Sequence, residues 1–92
     1  MPRAKKDVDN ILAYLGGERI SAAVAFDERL RESMDLLARM PLIGRMARST
    51  RMLRKGYRCF VMDDYLLYYK AEGHLLRVWR VMHARQRPQD AG

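Results

Sequence analysis

Three runs of residues decide the fold: Tyr57-Arg58-Cys59-Phe60-Val61-Met62, Tyr65-Leu66-Leu67-Tyr68-Tyr69-Lys70 and Leu75-Leu76-Arg77-Val78-Trp79-Arg80-Val81-Met82. Each is rich in aromatic and β-branched residues, and the breaks between them, Asp63-Asp64 and Ala71-Glu72-Gly73-His74, carry turn chemistry. The stretch therefore reads as three antiparallel strands joined by a two-residue and a four-residue turn. With those turn lengths Phe60, Met62, Leu67, Tyr69, Leu76, Val78 and Met82 share one face. Tyr57, Cys59, Tyr68, Lys70, Arg77 and Trp79 share the other. The first set makes the better core, and it brings Arg58 and Arg80 to the margin of that core or to a cleft beside it. A slip of one residue would exchange the faces.

Upstream the hydrophobic period changes to that of a helix. Val8, Ile11, Leu12 and Leu15 fall at i, i+3, i+4 and i+7 from a helix that begins near Ala4, with Lys5, Lys6, Asp9 and Asn10 on the wet side. Pro2 suits the first turn, and the Gly16-Gly17 pair is expected to stop the helix. A second helix is expected from an N-cap at Ser21, with Ala23, Phe26, Leu30, Ser33, Met34 and Leu37 as its inward stripe. Asp27 to Arg31 and Asp35 to Arg39 are i,i+4 pairs on its outer face. Pro41 ends it near Met40. Leu42 to Thr50, with Gly44 and two cations, reads as a loop. The fold class is α+β: an N-terminal helical hairpin packed on a small antiparallel sheet of three to four strands. The chain reads as one domain, with a core of about residues 4–87 and a polar tail at 88–92.

Composition narrows the function. Apolar residues make up 49% of the 92 and charged residues 32%, as in an ordinary folded globule. The longest apolar runs, Ala22 to Phe26 and Tyr65 to Tyr69, are far short of the roughly 20 residues of a membrane span. No membrane role is expected, and one cysteine, Cys59, with no export signal points to the cytoplasm. Eighteen basic residues against eleven acidic ones give a net charge of +7. Arg39 to Arg58 holds seven cations and no acid, and fourteen of the eighteen cations are Arg, whose planar fork suits phosphate and carboxylate. Such a field favours nucleic acid or an acidic protein partner; it also serves a solvated surface.

Several pieces in order resemble a known family. Ala4, Asp7, Ile11, Tyr14 and Leu15, then Phe26, Leu30 and Leu37 with Pro41 and Gly44, are similar to the helical half of the RelE/ParE toxin superfamily. Gly56-Tyr57-Arg58, Tyr65 to Lys70 and Arg80-Val81-Met82-His83-Ala84-Arg85 resemble the strand signature of its ParE-like branch. The resemblance covers about residues 4–87. It implies the toxin of a type II toxin–antitoxin pair, in a hetero-oligomer with a cognate antitoxin that binds through an acidic or amphipathic segment. Members of the superfamily open with a β-strand before the first helix. Here only Met1-Pro2-Arg3 precedes the helical pattern, so that strand is read as missing or truncated, or the start as internal to a longer frame. Its loss would leave a sheet edge open to pairing with another chain.

The superfamily implies two mechanisms. ParE-like members block DNA gyrase by binding, whereas RelE-like members cut mRNA on the ribosome. A ribonuclease needs a base, a proton donor and cations for the phosphorane. His83, Arg58, Arg80 and Arg85 are the residues that would supply these, with Tyr57 or Tyr68 also able to handle protons and Trp79 able to stack a base. A binding toxin would use Arg54, Arg58, Arg80, His83 and Arg85 as a recognition surface. After His83 the chain holds Arg85 and Arg87 but no Tyr, Lys or second His, which favours binding over cleavage. A third reading is a basic module that binds nucleic acid, although no recognition helix carries the cations. His83 follows a strand directly and reads as a hydrogen-bonded strand-end residue rather than a general base. His74 lies in a turn, Tyr68 and Tyr69 read as packing residues, and Cys59 as an inert small hydrophobe. Two His and one Cys lack metal-ligand spacing, and no motif calls for a metal or cofactor.

Overall fold

A computed structural model describes residues 2–47, 51 and 54–86. The expected polar tail at 88–92 lies outside these residues, as do Arg48 to Thr50 of the expected loop. Helix α1 (Pro2–Glu18) and helix α2 (Ile20–Arg39) lead into strands β1 (Arg45–Met46), β2 (Arg58–Met62), β3 (Tyr65–Glu72) and β4 (Leu75–His83). The strands form one antiparallel sheet in the order β1-β2-β3-β4. A 3₁₀ turn, Ala84–Gln86, follows β4. The α+β class is as expected, and no strand precedes α1 among the described residues.

The helices differ from expectation at their junction. The Gly16-Gly17 pair does not stop α1, which runs on to Glu18. Glycine costs a helix only about 1 kcal/mol per residue, and packing against a neighbouring element offsets that. Gly16 lies where the two helices approach, its absent Cβ position 3.9 Å from the Ala23 side chain. The break falls instead at Arg19, which is extended (φ −164°, ψ 122°) and serves as the N-cap of α2 without a side-chain hydrogen bond. Ser21 is therefore inside α2 rather than at its cap. The inward stripe of α2 is as read from the sequence: Phe26, Ser33 and Leu37 are buried. Asp27 and Arg31 form their i,i+4 pair at 3.0 Å.

The loop expected at Leu42 to Thr50 contains β1, which pairs Arg45 with Cys59 and Met46 with Arg58. Its position is set by Tyr69. The Tyr69 hydroxyl donates to the Pro41 carbonyl at 2.7 Å and accepts the Gly44 N–H at 2.9 Å. A Cβ at Gly44 would lie 2.6 Å from that oxygen, so only glycine fits. Arg58 completes the clamp by donating to the Gly44 carbonyl at 2.9 Å and the Leu42 carbonyl at 3.4 Å.

The main core lies between the helices and one face of the sheet. Phe26, Leu37, Met62, Leu67, Tyr69 and Val81 are buried there, with Val8, Ile11, Leu12, Leu15, Phe60, Leu76 and Val78 packed against them. The second turn has two residues, Gly73-His74, not four, because β3 continues through Glu72. Gly73 takes φ +60° there. Shortening the turn by two leaves the face alternation intact, so Leu76 and Val78 point into the core as expected. Beyond Val78 the alternation fails. Tyr69 pairs with Val78 but Tyr68 with Arg80, so Trp79 is the extra residue of a β-bulge. Val81 takes the core position expected for Met82, which moves to the opposite face beside Leu66. Trp79 packs on the second face, against the clusters of Cys59, Leu66 and Tyr68 and of Ala47 and Tyr57.

Candidate functional site

The bulge decides where the expected site residues stand. Arg58, opposite Tyr69, is on the helix-covered face. Arg80, opposite Tyr68, is on the other face, with its guanidinium 6.0 Å from the centre of the Trp79 ring. The expectation that Arg58 and Arg80 share a face is corrected: one inserted residue in β4 reverses the parity between them.

Arg80 reaches around the edge of β4 to α1. Its Nε and Nη2 donate to the two carboxylate oxygens of Asp7 at 2.7 and 2.9 Å. Asp7 also accepts the backbone N–H of Val81 at 3.0 Å, on the outer edge of β4, the last strand of the sheet among the described residues. The Arg80 and Asp7 side chains are 20% and 14% exposed, so this pair is largely withdrawn from solvent. The hydrogen bonds it donates to Asp7 push the Arg80 guanidinium above its ordinary pKa, against the opposing effect of burial. Its fork is filled.

His83 ends β4 opposite Tyr65, and their rings meet edge-to-face at 5.4 Å. The His83 Nδ1 accepts the backbone N–H of Arg85 at 3.2 Å. In the neutral ring the proton is therefore on Nε2, and the lone pair a general base would use is occupied by the backbone. Beside this pair lies an open pocket of about 450 Å³, lined by Asn10, Ile11 and Tyr14 of α1 and by Tyr65, His83 and Arg85. Burial first, then the charge of Asp64 and the neighbouring Tyr14, raises the Tyr65 phenol above its ordinary pKa. Arg85, in the 3₁₀ turn, is exposed.

The five expected site residues thus fall into separate places. His83 and Arg85 share the pocket. Arg80 is bound to Asp7. Arg58 is bound to the β1 loop, and Arg54 is exposed ahead of β2. His83 lies level with Met62 through Tyr65, four residues along β2 from Arg58 and two strands across. That is about 13 Å along the strand and about 10 Å across the sheet. Asp7, Asn10 and Tyr14 were not expected in any site. Their signal was their spacing: Asp7, Ile11 and Tyr14 fall at i, i+4 and i+7, on the flank of the apolar stripe of α1.

Among the described residues no group of three His, Cys, Asp or Glu converges as a metal would require, and no helix is long and apolar enough to cross a membrane. A search of curated proteins finds no match to the chain. The family model described as the ParE toxin of the type II toxin–antitoxin system parDE matches residues 1–88. The two helices followed by a four-stranded antiparallel sheet are consistent with the architecture of such toxins. The chain belongs to the ParE toxin family of type II toxin–antitoxin systems.

Proposed function

We propose that this toxin acts in the cytoplasm by binding DNA gyrase rather than by cleaving RNA, and that a cognate antitoxin neutralises it. The observation that carries the reading is the engagement of three of the four side chains a ribonuclease would need. The His83 Nδ1 is held by the Arg85 N–H, the Arg80 fork by Asp7, and Arg58 by the carbonyls of Leu42 and Gly44. A base and a phosphorane-stabilising cation have to be open to the reacting atoms. In a binding protein the same side chains have a different use. Arg80 and Arg58 hold the surface in shape, while Arg54 and Arg85 present open forks to carboxylates or to phosphates at a DNA-bound enzyme. The His83 Nε2–H and the recess beside Tyr65 add a donor and an apolar wall to that surface.

The test is induced expression without antitoxin, followed by assays of gyrase supercoiling and of mRNA integrity. Wild-type protein is expected to inhibit supercoiling and leave mRNA intact. Arg85→Ala is expected to weaken gyrase inhibition, and His83→Gln to keep most of it. Loss of ribosome-bound mRNA cleavage on His83→Gln, in a protein that still folds and binds, would replace this reading with the ribonuclease one. Removing a general base lowers rate by about 100- to 10,000-fold, a size not mistaken for a binding defect.

A further inference from the structure

The β1 edge carries a second surface. Met40, Leu42, Ile43 and Met46, on the chain entering and forming β1, are all exposed, as is Val61 on β2. β1 covers only Arg58 and Cys59 of β2, so Val61 stands on the uncovered part of the same sheet edge that Met46 and the chain before it occupy. β1 is the terminal strand of the order and only two residues long, so little backbone is offered along it. A cluster of large exposed apolar side chains on a chain this small marks an interaction site.

The charge around it selects the occupant. Arg45 on β1 and Arg39, which ends α2 just ahead of Met40, are exposed, and no acid occurs between Arg39 and Arg58. A second copy would bring an identical cationic rim against this one. A nucleic-acid backbone would satisfy the cations but leave the apolar side chains against phosphate. A peptide with apolar residues on one side and carboxylates on the other satisfies both. We propose that the β1 edge is the docking surface for an acidic, amphipathic segment of the antitoxin, an inference that rests on the antitoxin reading above. Apolar residues of that segment cover Leu42, Ile43, Met46 and Val61, and its carboxylates meet Arg39 and Arg45. Burial of the apolar side chains holds the complex, and the cations steer the encounter.

The test uses the full chain and, as probe, the purified protein encoded by the neighbouring frame. Met46→Asp and Val61→Asp are compared with Leu75→Asp, whose parent side chain is at least as exposed but beside the β3–β4 turn. Circular dichroism checks that each variant folds. Affinity is expected to fall about 10-fold or more for each β1-edge variant and to change little for Leu75→Asp. Arg45→Glu is expected to slow association and reduce its salt dependence. Hydrogen exchange should show protection at residues 40–47 and 58–62 on binding. If the complex forms but the three Asp variants bind alike, or protection lies elsewhere, the docking surface is wrong while the antitoxin reading stands. If the wild-type chain does not bind the probe, the antitoxin reading fails and this inference with it. If the chain alone self-associates and Met46→Asp abolishes that, a second copy is the occupant and the proposal is overturned.

Discussion

Asp7, in α1, holds Arg80, in β4, through two hydrogen bonds of 2.7 and 2.9 Å across 73 positions of sequence. The same carboxylate covers the Val81 N–H on the outer edge of β4. One side chain thus ties the first helix to the last strand and takes the place a neighbouring strand's carbonyl would fill. Asp7→Ala leaves a largely buried guanidinium and a strand N–H without their partner. The expected loss is about 2–4 kcal/mol, read by urea denaturation. Arg80→Ala should cost a comparable amount. The double variant should be less destabilised than the sum of the two, by at least about 1 kcal/mol. Strict additivity would mean that the two side chains do not interact.

Gly44 and Tyr69 should behave as one unit. Gly44→Ala places a methyl group against the Tyr69 hydroxyl and is expected to cost about 1–3 kcal/mol, as overpacking does. Tyr69→Phe removes the acceptor of the buried Gly44 N–H and the donor to Pro41, for about 1–3 kcal/mol. In both variants the amide of Gly44 should exchange faster with solvent. Unchanged exchange there would show that β1 is held by something else.

The bulge at Trp79 predicts an asymmetry between adjacent residues. Val81→Ala should cost about 1–3 kcal/mol, because its side chain is in the core. Met82→Ala removes a larger side chain and should nevertheless cost less, because Met82 is only half-buried on the second face. Thermal unfolding of the two variants measures this directly, and the reverse order would place the bulge elsewhere.

Tyr65 gives the fold a sensitivity to alkali. Its phenol is raised above the ordinary value of 10.0 in the folded chain, first by burial and then by Asp64 and Tyr14. A group raised on folding contributes its stabilisation fully below the unfolded pKa and loses it as pH rises through the folded one. Stability should therefore fall from about pH 10 upward. Phenolate absorbance should show a Tyr65 step above the ordinary phenol range. Tyr65→Phe should remove that late step and flatten this part of the pH–stability curve.

Much of the architecture follows from local chemistry in the chain. The inward stripe of α2 from Phe26 to Leu37, the Asp63-Asp64 turn and the three long strands follow from hydrophobic period and turn residues. Those signals act within a few positions, so they are legible one segment at a time. The resemblance of residues 4–87 to ParE-like toxins is of the same kind, since it rests on local motifs in order. What needed the tertiary structure was each point where a distant partner overrides a local preference. Gly16-Gly17 stays helical where α2 packs beside Gly16. β1 forms because Tyr69, 25 positions from Gly44, holds the chain at β2. The slip of one residue at Trp79 leaves no mark in a pattern of alternating Arg, Val and Trp, yet it moves Arg80 to the opposite face and puts Val81 into the core. A strand's period of two carries no memory of an inserted residue, so only pairing with β3 decides the register. The separation of Arg58 from His83 and the filling of the Arg80 fork by Asp7 are consequences of that register.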